Sequence, residues 1–380
     1  MNRTTCLVSL VLVVAAAACH DPNTAPAALN APAFAVSAAA ACPTPTDVVV
    51  SNEAELLAAL AVADSGPKVI GVKGNITVSA DILITTPGIT LTCASAGAGL
   101  TAQPANTDML TVLADRVTVD RLVLDGSNAV DGPYMATGAA GVRLTNNSVT
   151  CGFGICAFFS GATPNAVVAD NHFVSNSDSS FGVHMQVGID SSRVERNTIE
   201  TTVPNNIGFG GIRARDGRGV LIANNVVRGP WRTSIASADL AGSVVKSNRL
   251  VGAILDGIRA RFGGSFIGPI SITDNLFSSN TVTGAGEAGI FLQNACRNTF
   301  VGNSLQGNAG NVGLFFAGTT GANTLVGNQT VVVDNGAFDC NGDGVNDPNI
   351  VTGAGAVMHG VNFGEVVSGV VKTVHGITLQ

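Results

Sequence analysis

The chain has 380 residues, of which 12% are charged and 5% aromatic, with 46 Gly and 14 Pro. Its net charge of −7 leaves no broad basic face and excludes nucleic acid as a general partner. Size alone suggests roughly two or three globular domains, but a solenoid grows linearly and would need only one.

Residues 1–18 carry Arg3 and then an apolar stretch from Cys6 to Ala18, a pattern that fits an export signal and is too short to span a membrane. Ala16-Ala17-Ala18-Cys19 resembles a lipoprotein box in which Cys19 would be lipidated; ordinary cleavage at an Ala-rich site is the alternative. Residues 19–47 are rich in Ala and Pro and nearly uncharged, so they read as a semi-rigid tether from a membrane. Residues 48–67 are expected to form a capping helix. Asn52 is a good N-cap, Glu55 follows three positions later, and the next residues have amphipathic spacing.

Within residues 68–333, the expected solenoid, the stretch from Gly141 to Gln329 repeats one phrase. It reads Asn147-Ser-Val, Asn171-His-Phe, Asn197-Thr-Ile, Asn225-Val-Val, Asn248-Arg-Leu, Asn275-Leu-Phe, Asn298-Thr-Phe and Asn323-Thr-Leu, in steps of 23 to 28 residues. A second phrase keeps phase with it: Gly154-Ile-Cys, Gly182-Val-His, Gly211-Ile-Arg, Ser234-Ile-Ala, Gly257-Ile-Arg, Gly289-Ile-Phe and Gly313-Leu-Phe. A period in this range marks a stack of repeats, each too small to bury its apolar face alone. The apolar runs are short, β-branched and alternating, which favours strands over helices. Asparagine tolerates a left-handed bend, and its amide can bond to the equivalent Asn one coil away.

These phrases resemble the right-handed parallel β-helix of the pectate-lyase-like superfamily, whose Asn ladder marks the turn between its second and third sheets. The resemblance implies an all-β, single-stranded solenoid of three sheets and about ten coils, and a bacterial cell-surface or lipoprotein setting. It also implies that the first sheet and its flanking loops carry a saccharide cleft.

Six cysteines remain if Cys6 and Cys19 are removed or lipidated. Pairing by proximity gives Cys42 with Cys93, Cys151 with Cys156 and Cys296 with Cys340, although the sequence permits other connectivities.

In the Gly-led strands the residue after Gly should point inward and the next outward. Outward positions then include His184 and Gln186, Arg213 and Arg215, Ala236 and Ala238, Arg259 and Arg261, and Phe291 and Gln293. Gly-Ile-Arg-Ala-Arg recurs 46 residues apart, at 211 and at 257. That interval is two coils, so the guanidinium rows stand about 10 Å apart, with alanines between them. Trp231 and Arg232, in the preceding loop, add a surface for sugar stacking and a further cation. Guanidinium binds carboxylate or sulfate in a bidentate manner, so the expected ligand is an anionic polysaccharide.

For β-elimination, Arg213, Arg259 and His184 are the catalytic candidates, with Arg215, Arg261, Trp231, Arg232 and Gln186 binding substrate. Asp216, Asp239, Asp256 and Glu287 are candidates for hydrolysis by position. The Asp-rich strand cluster of lyase calcium sites is missing. So are the Asp-Asp pair, Gly-His-Gly and Arg-Ile-Lys of polygalacturonases, which puts lyase chemistry ahead of hydrolysis. The alternatives are arginines that merely pair with nearby carboxylates, and a non-catalytic surface scaffold or adhesin.

Residues 334–380 open with Asp339, Asn341, Asp343, Val345 and Asp347, spaced like the calcium loops of EF-hand-like and dockerin repeats, with Gly344 at the turn. Ile350 replaces the bidentate Glu of a sensor EF-hand, so a bound Ca2+ would be structural. The expectation is an exported monomer, held at the outer membrane by lipid or freely secreted.

Overall fold

The computed structural model describes Cys42 and residues 46–64, 68–104, 108–204, 210–261, 272–328, 330–336, 338–352, 357–360 and 363–366. The export signal, Cys19 and most of the tether lie outside the described residues.

Three parallel sheets wind into one solenoid. Among the described residues the first has 13 strands, the second 14 and the third nine, and strands within the stack pair with their equivalents one coil before and after. The stack makes about 12 turns, more than the ten expected over 68–333, because strands outside that range, Val48–Val50 before it and Asn349–Thr352, Val357–Gly360 and Phe363–Val366 after it, join the same sheets. Inward Ile, Val and Leu fill the tube. Ile212, Ile235, Ile258 and Ile290, each following the Gly or Ser of the second phrase, are completely buried.

The helix Glu53–Ala61 has the expected Asn52 cap, whose side-chain oxygen accepts from the Glu55 N–H at 3.0 Å. The returning bond is displaced by one residue, since Glu55 accepts from the Ser51 N–H at 2.7 Å. Leu56 and Ala59 join the core.

Asparagines hold the corners. At the turn from second to third sheet, each side-chain oxygen accepts from the backbone N–H and the amide of the Asn one coil earlier, through Asn147, Asn171, Asn197, Asn225 and Asn248. The ladder then continues to Asn280, Asn303 and Asn328. Asn275 belongs to a second ladder at the turn from first to second sheet, which begins at Ser243 and runs on through Asn298, Asn323 and Asn349. The single asparagine series expected from sequence is therefore two. The left-handed conformation also falls one residue earlier than expected, on Asn146 (φ 57), Asp170 (φ 59), Arg196 (φ 56) and Asn224 (φ 56). That bend turns the following Asn inward, where its amide meets the neighbouring coil.

The disulfides Cys42–Cys93, Cys151–Cys156 and Cys296–Cys340 all form. Cys42–Cys93 spans 51 residues. Loop-closure entropy gives a bond of this span about 4 kcal/mol. Replacing both cysteines by Ser should therefore lower the urea midpoint more than the same change at Cys151 and Cys156, which lie five residues apart.

Candidate functional site

Parallel register brings the outward residues of the first sheet into columns. One column runs Phe158, His184, Arg213, Ala236, Arg259, Phe291 and Phe315. A second aligns Arg215, Ala238 and Arg261. The two Arg-Ala-Arg strands thus stand two rungs apart across an alanine rung, as their spacing in sequence requires. Gln186 lies half-buried two residues beyond His184 on the same strand.

The cations crowd one another. Arg213 is pushed down to about 10 by burial and then by the charges of Arg215 and Arg261. Arg261 is depressed by burial and then by Arg259 and Arg232, against an opposing pull from Asp256. A guanidinium depressed in this way remains charged, so the shift reports burial first and the neighbouring cations second rather than proton loss. The Nε of Arg215 is buried without a hydrogen-bond acceptor.

Arg259 differs from the other three. It donates to Asp256 through a short bond and to Glu287 at 2.8 Å, and its guanidinium lies 4.8 Å from the centre of the Phe291 ring. Asp256 is fully buried, and burial raises it to about 6 despite Arg259. The simpler expectation, that an arginine here pairs with nearby carboxylates, holds for this residue, so Arg259 is committed to the fold.

Two further expected roles change. Trp231 is completely buried and donates its indole N–H to the carbonyl of Arg228 at 3.1 Å, so it is a core residue and offers no face to a sugar. Arg232, beside it, stays half-exposed near Arg261. His184 sits between Phe158 and Phe181, with ring centres 5.2 and 5.0 Å away. Burial, followed by Arg213 and Arg215, drives its value down to about 3. An imidazole so reluctant to hold a proton is a poor general base, and His184 serves instead as a ring in an aromatic stack. The half-buried Phe158, Phe181 and Phe315 flanking the arginines escaped the sequence reading, although Phe315 falls within the repeated Gly-led phrase.

Asp216 and Asp239 sit in register on neighbouring rungs, each in the left-handed region at the end of an arginine or alanine strand. Burial first, and then the charge of Asp239, raise Asp216 to about 6, against the pull of Arg215. The folded state therefore holds this proton more tightly than the unfolded chain. The associated stability is complete below the unfolded value of 3.8 and is lost as pH rises through about 6. Asp216→Asn, which removes the ionisation and suits the same bend, should stabilise the protein at pH 7.5 by on the order of 1–2 kcal/mol. Urea titrations should find that advantage gone at low pH, below the unfolded value.

Beyond the last complete coils, the Asp339 carboxylate accepts from the N–H groups of Asn341, Gly342, Asp343 and Gly344, at 2.6 to 3.2 Å. These bonds, led by that from Gly344, hold Asp339 below the usual carboxylate range. Gly344 has φ 88, a conformation that favours glycine. Asp347 accepts from the N–H of Cys340 and the amide of Asn341, and Cys340 is bonded to Cys296. Among the described residues, no three His, Cys, Asp or Glu side chains gather as a metal cluster. The loop's potential donors also include the Asn341 amide oxygen and a backbone carbonyl, a hard-oxygen set of the kind that suits Ca2+.

Three parallel sheets, asparagine-lined corners and one-coil register define the right-handed parallel β-helix class. Residues 184–331 match the family described as right handed beta helix region, an interval that contains every arginine of the site. No curated protein matches the sequence. Among solved structures, the mannuronan C-5 epimerase A-module of Azotobacter vinelandii is similar at 16% identity and TM-score 0.55, over 82% of this chain and 92% of that one. The Dettilon tailspike protein is similar at 12% identity and TM-score 0.46, over 82% of this chain and 64% of its own. An alginate lyase from a Paenibacillus species is similar at 13% identity and TM-score 0.38, over 72% of this chain and 99% of that one. These likenesses concern the fold. Among the described residues, no helix is long and apolar enough to cross a membrane.

Proposed function

We propose that the first sheet binds an acidic polysaccharide, with β-elimination as the reaction to test. The observation that carries this reading is the placement of Arg213 and Arg215 on one strand of the first sheet and Arg261 two strands on, in register with Arg215, in a protein whose net charge is −7. Cations so placed raise the energy of the empty face, and bound carboxylate or sulfate would relieve it. The likeness to a mannuronan epimerase module adds support at the level of the fold. For elimination, the arginines would neutralise the uronate carboxylate; His184 is too weakly basic to be the proton acceptor. Affinity electrophoresis in gels containing acidic or neutral polysaccharide tests binding, and the ultraviolet absorbance of unsaturated product tests cleavage. Equal migration in both gels would overturn the reading.

The 339–347 loop is proposed as a structural Ca2+ site held by Asp339, Asn341, Asp343, the Val345 carbonyl and Asp347. Its oxygen donors and its tether through Cys340 to Cys296 support this. Calcium at about a hundredfold above its dissociation constant should stabilise the chain by about 2.7 kcal/mol. Calorimetry with and without chelator should find that increment in the parent protein and find it missing in Asp339→Ala.

Export is proposed as well, with lipidation at Cys19 as the mode of retention. Three disulfides fit an oxidising compartment. Metabolic labelling with palmitate, compared with Cys19→Ala, tests it.

A further inference from the structure

Phe153 is 53% exposed, and among the described residues it is the one exposed aromatic side chain. Phe158, Phe181, Phe291 and Phe315 are each covered by a neighbouring ring or arginine; among the described residues no ring or guanidinium lies against Phe153. Its loop is pinned from every side. Cys151 and Cys156 close it with a disulfide. A side chain at Gly152 would run into the carbonyl of Ser127, and one at Gly154 into that of Asp131, so both glycines lie flat on the loop of the coil before. Gly154 also has φ 66, where glycine is favoured. The Ile155 N–H donates to the Asp131 carbonyl at 2.7 Å, and the Phe181 N–H of the coil after donates to the Gly154 carbonyl at 3.0 Å. A large apolar ring left in water on so fixed a backbone has area to bury and little backbone entropy to lose on meeting a ligand.

The loop borders the arginine face. Phe153 immediately precedes the first-sheet strand Ile155–Ala162, as Arg232 precedes the strand Ile235–Ala241, so both stand on the flank where the chain enters that sheet. The charge of Arg232 reaches Arg261, which shows that side chains on this flank act at the arginine columns. In sheet order Ile155–Ala162 is followed by Phe181–Val187 and then by Ile212–Arg218, which carries Arg213 and Arg215; Ile258–Arg261 lies two strands further on. Along the axis Phe153 is therefore about 10 Å from the first arginine row and about 19 Å from the second.

Resting on the acidic-polysaccharide reading above, we infer that Phe153 is a stacking residue of that site, taking the apolar C–H face of a sugar beyond those held by the arginines. An extended pyranose chain advances by about one strand spacing per sugar, so a trisaccharide spans the two arginine rows and about five sugars are needed to reach Phe153 as well. The ring then adds affinity only for chains of that length, and the site favours polymer over short fragments. This is the uncovered aromatic face that Trp231, buried in the core, does not supply.

Calorimetric titration of the full chain with galacturonate trisaccharide and heptasaccharide, and with chitin heptasaccharide as the uncharged control, tests the assignment. Phe153→Ala is expected to weaken heptasaccharide binding about tenfold, equivalent to about 1.4 kcal/mol, and to leave trisaccharide binding unchanged. Phe153→Trp should keep the heptasaccharide affinity, and its new indole should change emission with the heptasaccharide and not with the trisaccharide. The chain's own tryptophan, Trp231, is completely buried and should contribute a constant signal. Equal heptasaccharide affinity in Phe153→Ala and the parent, or an equal loss for both lengths, would overturn the stacking role; tighter binding of galacturonate than of chitin would then leave arginine-based recognition standing. If the parent binds galacturonate heptasaccharide no better than chitin, the acidic-polysaccharide reading falls and the stacking role falls with it.

Discussion

Asn225→Ala should destabilise the solenoid by roughly 3–5 kcal/mol, the cost of orphaning buried polar groups in a connected network. The Asn225 oxygen accepts from the backbone N–H and the amide of Asn197, both at 3.0 Å. Its own amide donates to the carbonyl of Val194 at 2.8 Å and to Asn248 at 3.0 Å. Alanine removes all of these while filling none of the space. Because a solenoid opens locally, amide exchange is the sharper measurement: the Asn197 N–H should lose protection before distant coils do. The exposed Asn176, outside the ladders, is the control, with an expected change within about 0.5 kcal/mol on substitution by Ala.

The second large effect separates Arg215 and Arg261 from Arg259, which the sequence presents alike. The double variant Arg215→Ala, Arg261→Ala should weaken binding of acidic polysaccharide about a hundredfold or more, because each charge-assisted contact contributes about 1.5–3 kcal/mol. Its melting temperature should change little or rise, since two charges that press on Arg213 have gone. Arg259→Ala should do the reverse. It leaves Asp256, which is fully buried, without its cation, and removing one partner of a buried pair costs about 3 kcal/mol or more. Binding titrations and thermal melts on both variants check this crossed pattern. Loss of affinity in Arg259→Ala with unchanged stability would place that residue among the ligand contacts.

The pattern of what was legible in sequence follows from locality. The coils from Gly182 to Gly313 each place a buried aliphatic after Gly or Ser, namely Val183, Ile212, Ile235, Ile258, Ile290 and Leu314, so period, strand direction and the alignment of Arg213 with Arg259 could be counted directly. The departure at Asn248 could not. Its partner is Asn280 rather than Asn275, because Asn275 serves the other corner, and two ladders with similar spacing merge into one series when only intervals are compared. The fate of Trp231 was equally hidden, since an aromatic residue in a loop has the same local signature whether it turns inward or outward. Arg259 reads as the twin of Arg213. What distinguishes it is Asp256, three residues earlier, and Glu287, 28 residues later, and only the folded register brings both carboxylates to it. Similarly, the low proton affinity of His184 depends on Phe158 and Arg213 from the adjoining coils.

The two-coil interval between the arginine strands also bears on how such a chain can change length. Each coil bonds only to the coils before and after it, through the same strand pairs and the same corner amides. A tandem duplication of residues 213–258 would therefore insert two coils in phase, with every new ladder bond supplied by a copy of an old one. It would also append another alanine row and another arginine row to the outer face. In a lineage of such proteins, the length of polymer gripped could grow by copying a short stretch of gene, without redesign of the coils already present.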